Sequence, residues 1–402
     1  MQEELLSLRY RGDCLDRSGA PLPDDAAVAL RLKAKANSLT NGVRITHDLF
    51  PAIAALLDEV GERLGLTCAP EGYVYNSPES QANSLGFSGG TMMMTLSSGL
   101  VQLLSSSELM FVLGHEIGHC IYEHSRYPAA DDSENEIEEL NCKALRRASE
   151  ISADRVGFVA CRSKKDAFRA IIKTASGLPD RFLRCETAAY LDQARELRDL
   201  GGSETELLST HPMFLVRMRA LLLFEMSDPY YSWTNKTGGA PLTRDALADR
   251  VDQALSAATG FRLAHVNEEA VRKALLWGFL QLFVADNTLS KSEQALLARA
   301  VGADIAHKAV EYARHFGPEG VQTRFSATLS NAKGLPLSTQ NALYEDLQHY
   351  AAHAGGSIAQ REAVLREAND VLGLGRIVEI PSKKDAELLQ AHALTSHQRG
   401  RQ

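Results

Sequence analysis

The sequence predicts a mainly α-helical chain with a small β-sheet in its first half, followed by an all-α domain. Three observations carry this prediction. Apolar residues recur at three- and four-residue steps over several long segments, two short runs of β-formers flank a Gly- and Ser-rich turn, and the pattern after about residue 245 is almost wholly helical. With 402 residues, 45% of them hydrophobic and 23% charged, the chain is long enough for two to three globular domains.

Taken in order, residues 1–40 show weak periodicity and turn signals at Gly12-Asp13 and Pro21-Leu22-Pro23, and they stand as an unassigned lead-in. Ile53, Leu56, Leu57, Val60 and Leu64 mark an amphipathic helix from Phe50 to Leu64. Tyr73-Val74-Tyr75 and Thr91 to Leu96 read as strands separated by the turn Gly86 to Gly90. Ser105-x-x-Glu108 is a capping box that opens a helix to about His124. Further helices are expected over 134–161, around 192–199 and after His211-Pro212. The segment TNKTGGAPL, Thr234 to Leu242, has little to pack and marks a linker at 234–245 between a domain over 41–233 and a helical domain over 246–380. Residues 381–402 form a polar tail.

Composition excludes several functions. The net charge of −8 argues against a nucleic-acid partner, and the absence of 18 uninterrupted apolar residues argues against a membrane span. Met1 to Asp13 carries acids and arginines where an export signal would be apolar, and six cysteines are scattered without a C-x-x-C pair. Both features point to reduced thiols in a cytoplasm.

His115-Glu116-Ile117-Gly118-His119 is an HExxH motif inside the helix opened by Ser105. Residues four apart share a helix face, so two imidazoles can meet one zinc, with Glu116 beside the open coordination position. The alternative is two solvated surface histidines. Downstream, Glu150 supplies a third ligand, and Asp154, one turn later, can accept the spare N–H of a ligating imidazole. A surface ion pair between Arg147 and Glu150 is the plain alternative. Met92, Met93 and Met94 alternate faces and fit either core or a tolerant pocket. Asp131 to Glu139 holds six acids in nine residues, a solvated loop and helix start or a lid for basic substrates.

HEIGH, ASEISADRVG, and Ser209-Thr210-His211-Pro212 with Arg217 together resemble the gluzincin zinc metallopeptidases of the HtpX-like and CAAX prenyl protease family, here without transmembrane helices. The resemblance covers roughly residues 40–232. It implies an α+β peptidase domain holding one zinc per chain through His115, His119 and Glu150. Glu116 is then the general base for a zinc-activated water, and His211 and Arg217 face the developing oxyanion. It further implies that Thr91, Met92, Met93, Met94 and Thr95 lie on an edge strand that pairs with extended substrate, and that Asn83, where this chain reads Asn83-Ser84-Leu85-Gly86, lies near a substrate pocket.

Asp286-Asn287-Thr288-Leu289-Ser290-x-x-Glu293 is echoed by Gly355-Gly356-Ser357-Ile358-Ala359-x-x-Glu362, and the helical region around it resembles TerB-like domains. That resemblance implies a partner-binding or regulatory module. The expected function is a cytoplasmic zinc endopeptidase acting on protein or peptide in extended form. The competing expectation is a latent or inactive peptidase fold that binds or assembles other proteins.

Overall fold

A computed structural model describes residues 2–14, 24–68, 70–87, 91–128, 135–184, 214–259, 263–283, 291–355 and 357–380, together with residues 133, 189, 192, 193, 195, 196 and 199. The chain divides into two compact units, Met1–Pro128 with Lys143–Phe261, and Ala129–Cys142 with Arg262–Gln402. It is mainly helical with one small four-stranded sheet.

The first unit begins with α1 (Gln2–Ser7) and α2 (Asp24–Asn41), then β1 (Gly42–Arg44). In α3 (Pro51–Leu64), proline occupies the first turn, Ala54, Leu57, Val60 and Leu64 face the core, and Gly65 ends the helix at φ 62°. The strands β2 (Glu71–Tyr75), β3 (Ala82–Phe87) and β4 (Thr91–Ser97) complete a sheet in the order β1-β2-β4-β3. Only the β2–β4 pairing is parallel.

After α4 (Ser98–Leu103), the capping box forms as the sequence predicts. Glu108 N donates to Ser105 Oγ at 3.4 Å, Ser105 N donates to Glu108 Oε2 at 2.8 Å, and α5 (Ser106–Ile121) follows. Leu109 through Gly118 are all buried, so α5 is the central helix of the unit. The helix α6 (Glu136–Cys161) packs against it in the opposite direction. Gly114 faces Gly157 and Ala160, while Gly118 faces Ala153 and Val156. A Cβ at Gly114 would lie 2.5 Å from Ala160 Cβ, so small residues set how near the two backbones come.

The unit closes with α7 (Lys164–Ser176), α8 (Phe214–Glu225), α9 (Asp228–Thr234) and α10 (Arg244–Thr259). Buried Lys173 on α7 meets the capping carboxylate of Glu108 at 2.6 Å, which ties α7 to the start of α5. Breaking such a buried pair typically costs about 3–5 kcal/mol.

The second unit contains α11 (Leu263–Phe283), α12 (Lys291–Val301), α13 (Ala303–Ala332), α14 (Leu337–His353) and α15 (Ile358–Leu372). Gly317, at φ 66° ahead of Pro318, breaks α13. The core is built on Phe279, Phe283, Phe325, Tyr344, Leu347 and Leu365. A capping box between Ser357 and Gln360 starts α15, and Gly355 N donates to Glu293 Oε1 at 3.4 Å, so the two halves of the internal repeat touch. The first repeat turn, 286–290, lies outside the described residues. The expected helix at 192–199 falls largely outside them.

Two expectations need correction. The strand carrying Thr91, Met92, Met93, Met94 and Thr95 is not an edge: β4 is paired on both sides, and among the described residues the edges are β1 and β3. The segment 234–245 is no linker, because Leu242 is buried in the first unit's core and α10 continues into it through Leu247, Ala248 and Val251. Backbone bonds hold it there, with Asp228 N donating to Leu242 O at 2.9 Å and Leu242 N donating to Met226 O at 3.0 Å. The start of the lead-in, which the sequence leaves unassigned, packs as core, since Leu5, Leu8 and Tyr10 are buried in the same cluster.

Candidate metal centre

One helical turn separates His115 from His119, and their Nε2 atoms lie 3.0 Å apart. The close approach of α5 and α6 delivers Glu150 to the same point. Its Oε2 lies 3.5 Å from His115 Nε2, and its Oε1 lies 3.3 Å from His119 Nε2. One donor atom from each of the three residues falls within 4.8 Å of the others. Tetrahedral zinc with bonds of about 2.0–2.1 Å sets its ligand atoms roughly 3.3 Å apart, so the donor set fits such a cation.

The electrostatics follow from burial. Desolvation opposes a charge on Glu150, but His119, His115 and Arg217 outweigh it and hold the carboxyl well below its usual range. Desolvation likewise opposes a charge on His119. Glu150 and Glu116 outweigh it, and the His119 pKa is raised. A metal at this point would displace that proton.

Each histidine has a second partner behind it. His115 Nδ1 lies 2.9 Å from Asp154 Oδ1, and Asp154 is gripped by Arg217 through Nε at 2.8 Å and Nη2 at 2.6 Å. Burial opposes the Asp154 charge, yet Arg217 and His115 hold its pKa down. Arg217, expected at the oxyanion, lines the cavity over these donors; two of its nitrogens are engaged by Asp154, and Nη1 stands 3.9 Å from Glu150.

Behind His119, Nδ1 lies 2.7 Å from His124 Nδ1, and His124 Nε2 lies 3.0 Å from Asp13 Oδ2. Arg9 Nε donates to the same carboxylate at 3.1 Å, and Tyr127 donates its hydroxyl to the other oxygen. Sequence reasoning missed both residues, reading His124 as a helix end and Asp13 as a turn. They are 111 positions apart, and no local spacing links them.

A cavity of about 410 Å³ opens over the three donors, lined by Asn83, Ser84, Gly86, His115, Glu116, His119, Glu150 and Arg217 among others. The Glu116 carboxylate is engaged by no donor among the described residues. Ser84 Oγ donates to Glu116 O at 2.9 Å, and a Cβ at Gly86 would come within 2.9 Å of Cys120 O. Serine and glycine at these positions therefore let β3 lie directly on the last turns of α5. Met92 to Thr95 are not among the described residues lining this cavity, and Met93 and Met94 are buried. Burial pushes the Cys120 thiol up to about 12, which makes it a packing residue. His211 lies outside the described residues.

Residues 49–134 and 135–224 match the family model described as peptidase family M48. Over 218 residues the chain is 27% identical to a protein of Arabidopsis thaliana named plastoglobule-localized metallopeptidase 48, chloroplastic, a match covering 48% of this chain and 63% of that relative. The matched span is thus less than two thirds of the relative's length. No solved structure matches. No helix among the described residues is long and apolar enough to cross a membrane.

Proposed function

We propose, on the premise that residues 49–224 form a domain of peptidase family M48, that this chain is a zinc-dependent endopeptidase hydrolysing peptide bonds in unfolded or extended protein segments. The observation that carries the reading is the convergence of His115, His119 and Glu150 at separations of 3.0–3.5 Å beneath a cavity that Glu116 also lines. Zinc, when bound, supplies the Lewis acid that polarises the scissile carbonyl and the attacking water.

The chain's own residues do the rest. Glu116 takes the proton as water attacks and returns it to the departing amine nitrogen. Asp154, gripped by Arg217, holds the His115 ring and its tautomer. His211 is the candidate donor to the oxyanion. Among the described residues β3 is an edge strand beside the cavity, which favours extended substrate joined by β-addition, with Asn83 at the contact. Free thiols at Cys14, Cys68, Cys120 and Cys161 favour a reducing cytoplasm. The TerB-like resemblance favours a partner-binding role for the helical second unit.

The test is Glu116→Gln, which keeps the shape of the side chain and loses its basicity. Zinc content and melting temperature should persist, while cleavage of an unfolded protein should fall by roughly 100- to 10,000-fold. Wild-type protein that binds zinc yet cleaves no unfolded chain would replace this reading with the latent, partner-binding one.

A further inference from the structure

We propose that His124 and Asp13 are positioning residues for His119, forming a hydrogen-bonded chain that decides which nitrogen of that ring faces the metal. The proposal rests on the zinc reading of the site and adds to it a segment upstream of the residues matched to the family, 49–224.

The hydrogen-bonded chain runs inward from the Asp13 carboxylate. Ionised Asp13 can only accept hydrogen bonds, so the 3.0 Å contact from His124 Nε2 requires the proton on that nitrogen. Neutral His124 then presents Nδ1 as a bare acceptor. The 2.7 Å contact between the two Nδ1 atoms requires one proton, and His119 must supply it. His119 Nε2 is left with a free lone pair, aimed at His115 Nε2 and Glu150 Oε1. Reversing the chain would put an N–H at Nε2 and block ligation.

The far end of this chain is rigidly built. Asp13 is 1% exposed and His124 2%. The carboxylate is shared among His124, Arg9 and Tyr127, and Arg9 Nη2 also donates to Tyr127 Oη at 2.5 Å. The segment carrying Asp13 is pinned to α6 and to the residue that caps the C-terminus of α5. Tyr10 N donates to Ser152 Oγ at 3.0 Å, Arg155 Nη1 to Leu8 O at 3.1 Å, and Tyr122 Oη to Leu5 O at 2.7 Å. Burial alone would not align two successive polar contacts with the one His119 nitrogen that no ligand uses.

The experiment measures zinc affinity by chelator competition and the visible spectrum of the cobalt-substituted full-length protein, with thermal melts as the check on folding. Asp13→Ala and His124→Phe should each weaken zinc binding on the order of 10- to 100-fold and shift the cobalt bands. His124→Asn, whose Oδ1 can replace the lost Nδ1 acceptor, should lose less than about 10-fold and keep the spectrum. A packing role predicts the reverse order, because Phe fills the space of the ring and Asn leaves a gap. If His124→Phe does not fold, Asp13→Asn against Asp13→Ala decides, since only Asn retains an acceptor for His124. Unchanged affinity and spectrum in the Ala and Phe variants, or a better-preserved site in Phe than in Asn, overturns the proposal. Wild-type protein that takes up no zinc overturns the zinc reading itself, and the proposal with it.

Discussion

His115 and His119 stand one turn apart on α5, yet they rest on supports of different origin. Behind His115 a carboxylate accepts directly, and that carboxylate, Asp154, sits four residues after Glu150 on α6. Behind His119 the carboxylate is one imidazole further out, and it comes from the first 14 residues of the chain. The contrast teaches that a support can be equally buried and equally well bonded whether it is carried by helical spacing or by a distant segment. Only the first kind leaves a pattern in the sequence. It also suggests a graded response, in which the direct support matters more to the metal than the relayed one.

The largest effect expected on this contrast is that of Asp154→Ala. It removes the partner of His115 and leaves Arg217 buried without its carboxylate, so zinc affinity should fall toward the upper end of a roughly 10- to 100-fold range, further than for Asp13→Ala. Folding stability should fall by about 3 kcal/mol or more. Chelator competition and urea unfolding read the two quantities. A greater loss of metal from Asp13→Ala than from Asp154→Ala would reverse the proposed order of direct and relayed supports.

Acid sharpens the contrast next. Burial lowers the pKa of His119, but Glu150 and Glu116 outweigh it, so the net value stands above the usual 6.5. Protons compete with metal at that ring, and zinc affinity should fall roughly tenfold per pH unit below the raised value and level off above it. In metal-free protein the sign is opposite. The charged His119–Glu150 pair contributes stability that is fully present below pH 6.5 and is lost as pH rises through the raised value. Competition titrations and metal-free unfolding curves from pH 5.5 to 8 should therefore slope in opposite directions. Parallel slopes would show that His119 does not carry the competing proton.

Much of the centre was legible because it lies on helices. The four-residue step placed His115 and His119 on one face, and the same step placed Glu150 beside Asp154. The capping box at Ser105 fixed where α5 begins. The sheet was harder to read. β3 has no clean alternation of apolar residues, and its place as an edge depends on pairing with β4 and on Ser84 and Gly86 lying against α5. The boundary was misplaced because TNKTGGAPL is polar in composition while one residue in it, Leu242, is anchored in the core. The resemblance points Arg217 to the oxyanion but is silent on its bond to Asp154, which depends on how α8 meets α6 in space. Asp13 had no local signal at all.

The smallest effect distinguishes the carboxylate from the group around it. Tyr127 donates its hydroxyl to Asp13 and accepts from Arg9, so Tyr127→Phe removes one link on each side and keeps the ring. Asp13 would still be held by Arg9 Nε at 3.1 Å and would still accept from His124 at 3.0 Å. The relay to His119 should therefore survive, and zinc affinity should change by less than about threefold, well short of the change that follows loss of a group bonded to the ligand itself. Stability should fall by about 0.5–1.5 kcal/mol, the usual net value of one hydrogen bond. Desolvation and the Asp13 charge hold the Tyr127 pKa above its usual value, so the hydroxyl is a donor throughout the working range. Chelator competition and urea unfolding on Tyr127→Phe, run beside Asp13→Ala, separate the two cases. If Tyr127→Phe loses as much zinc as Asp13→Ala, the hydroxyl and the carboxylate work as one unit, and the support behind His119 is a buried network with Tyr127 as a full member.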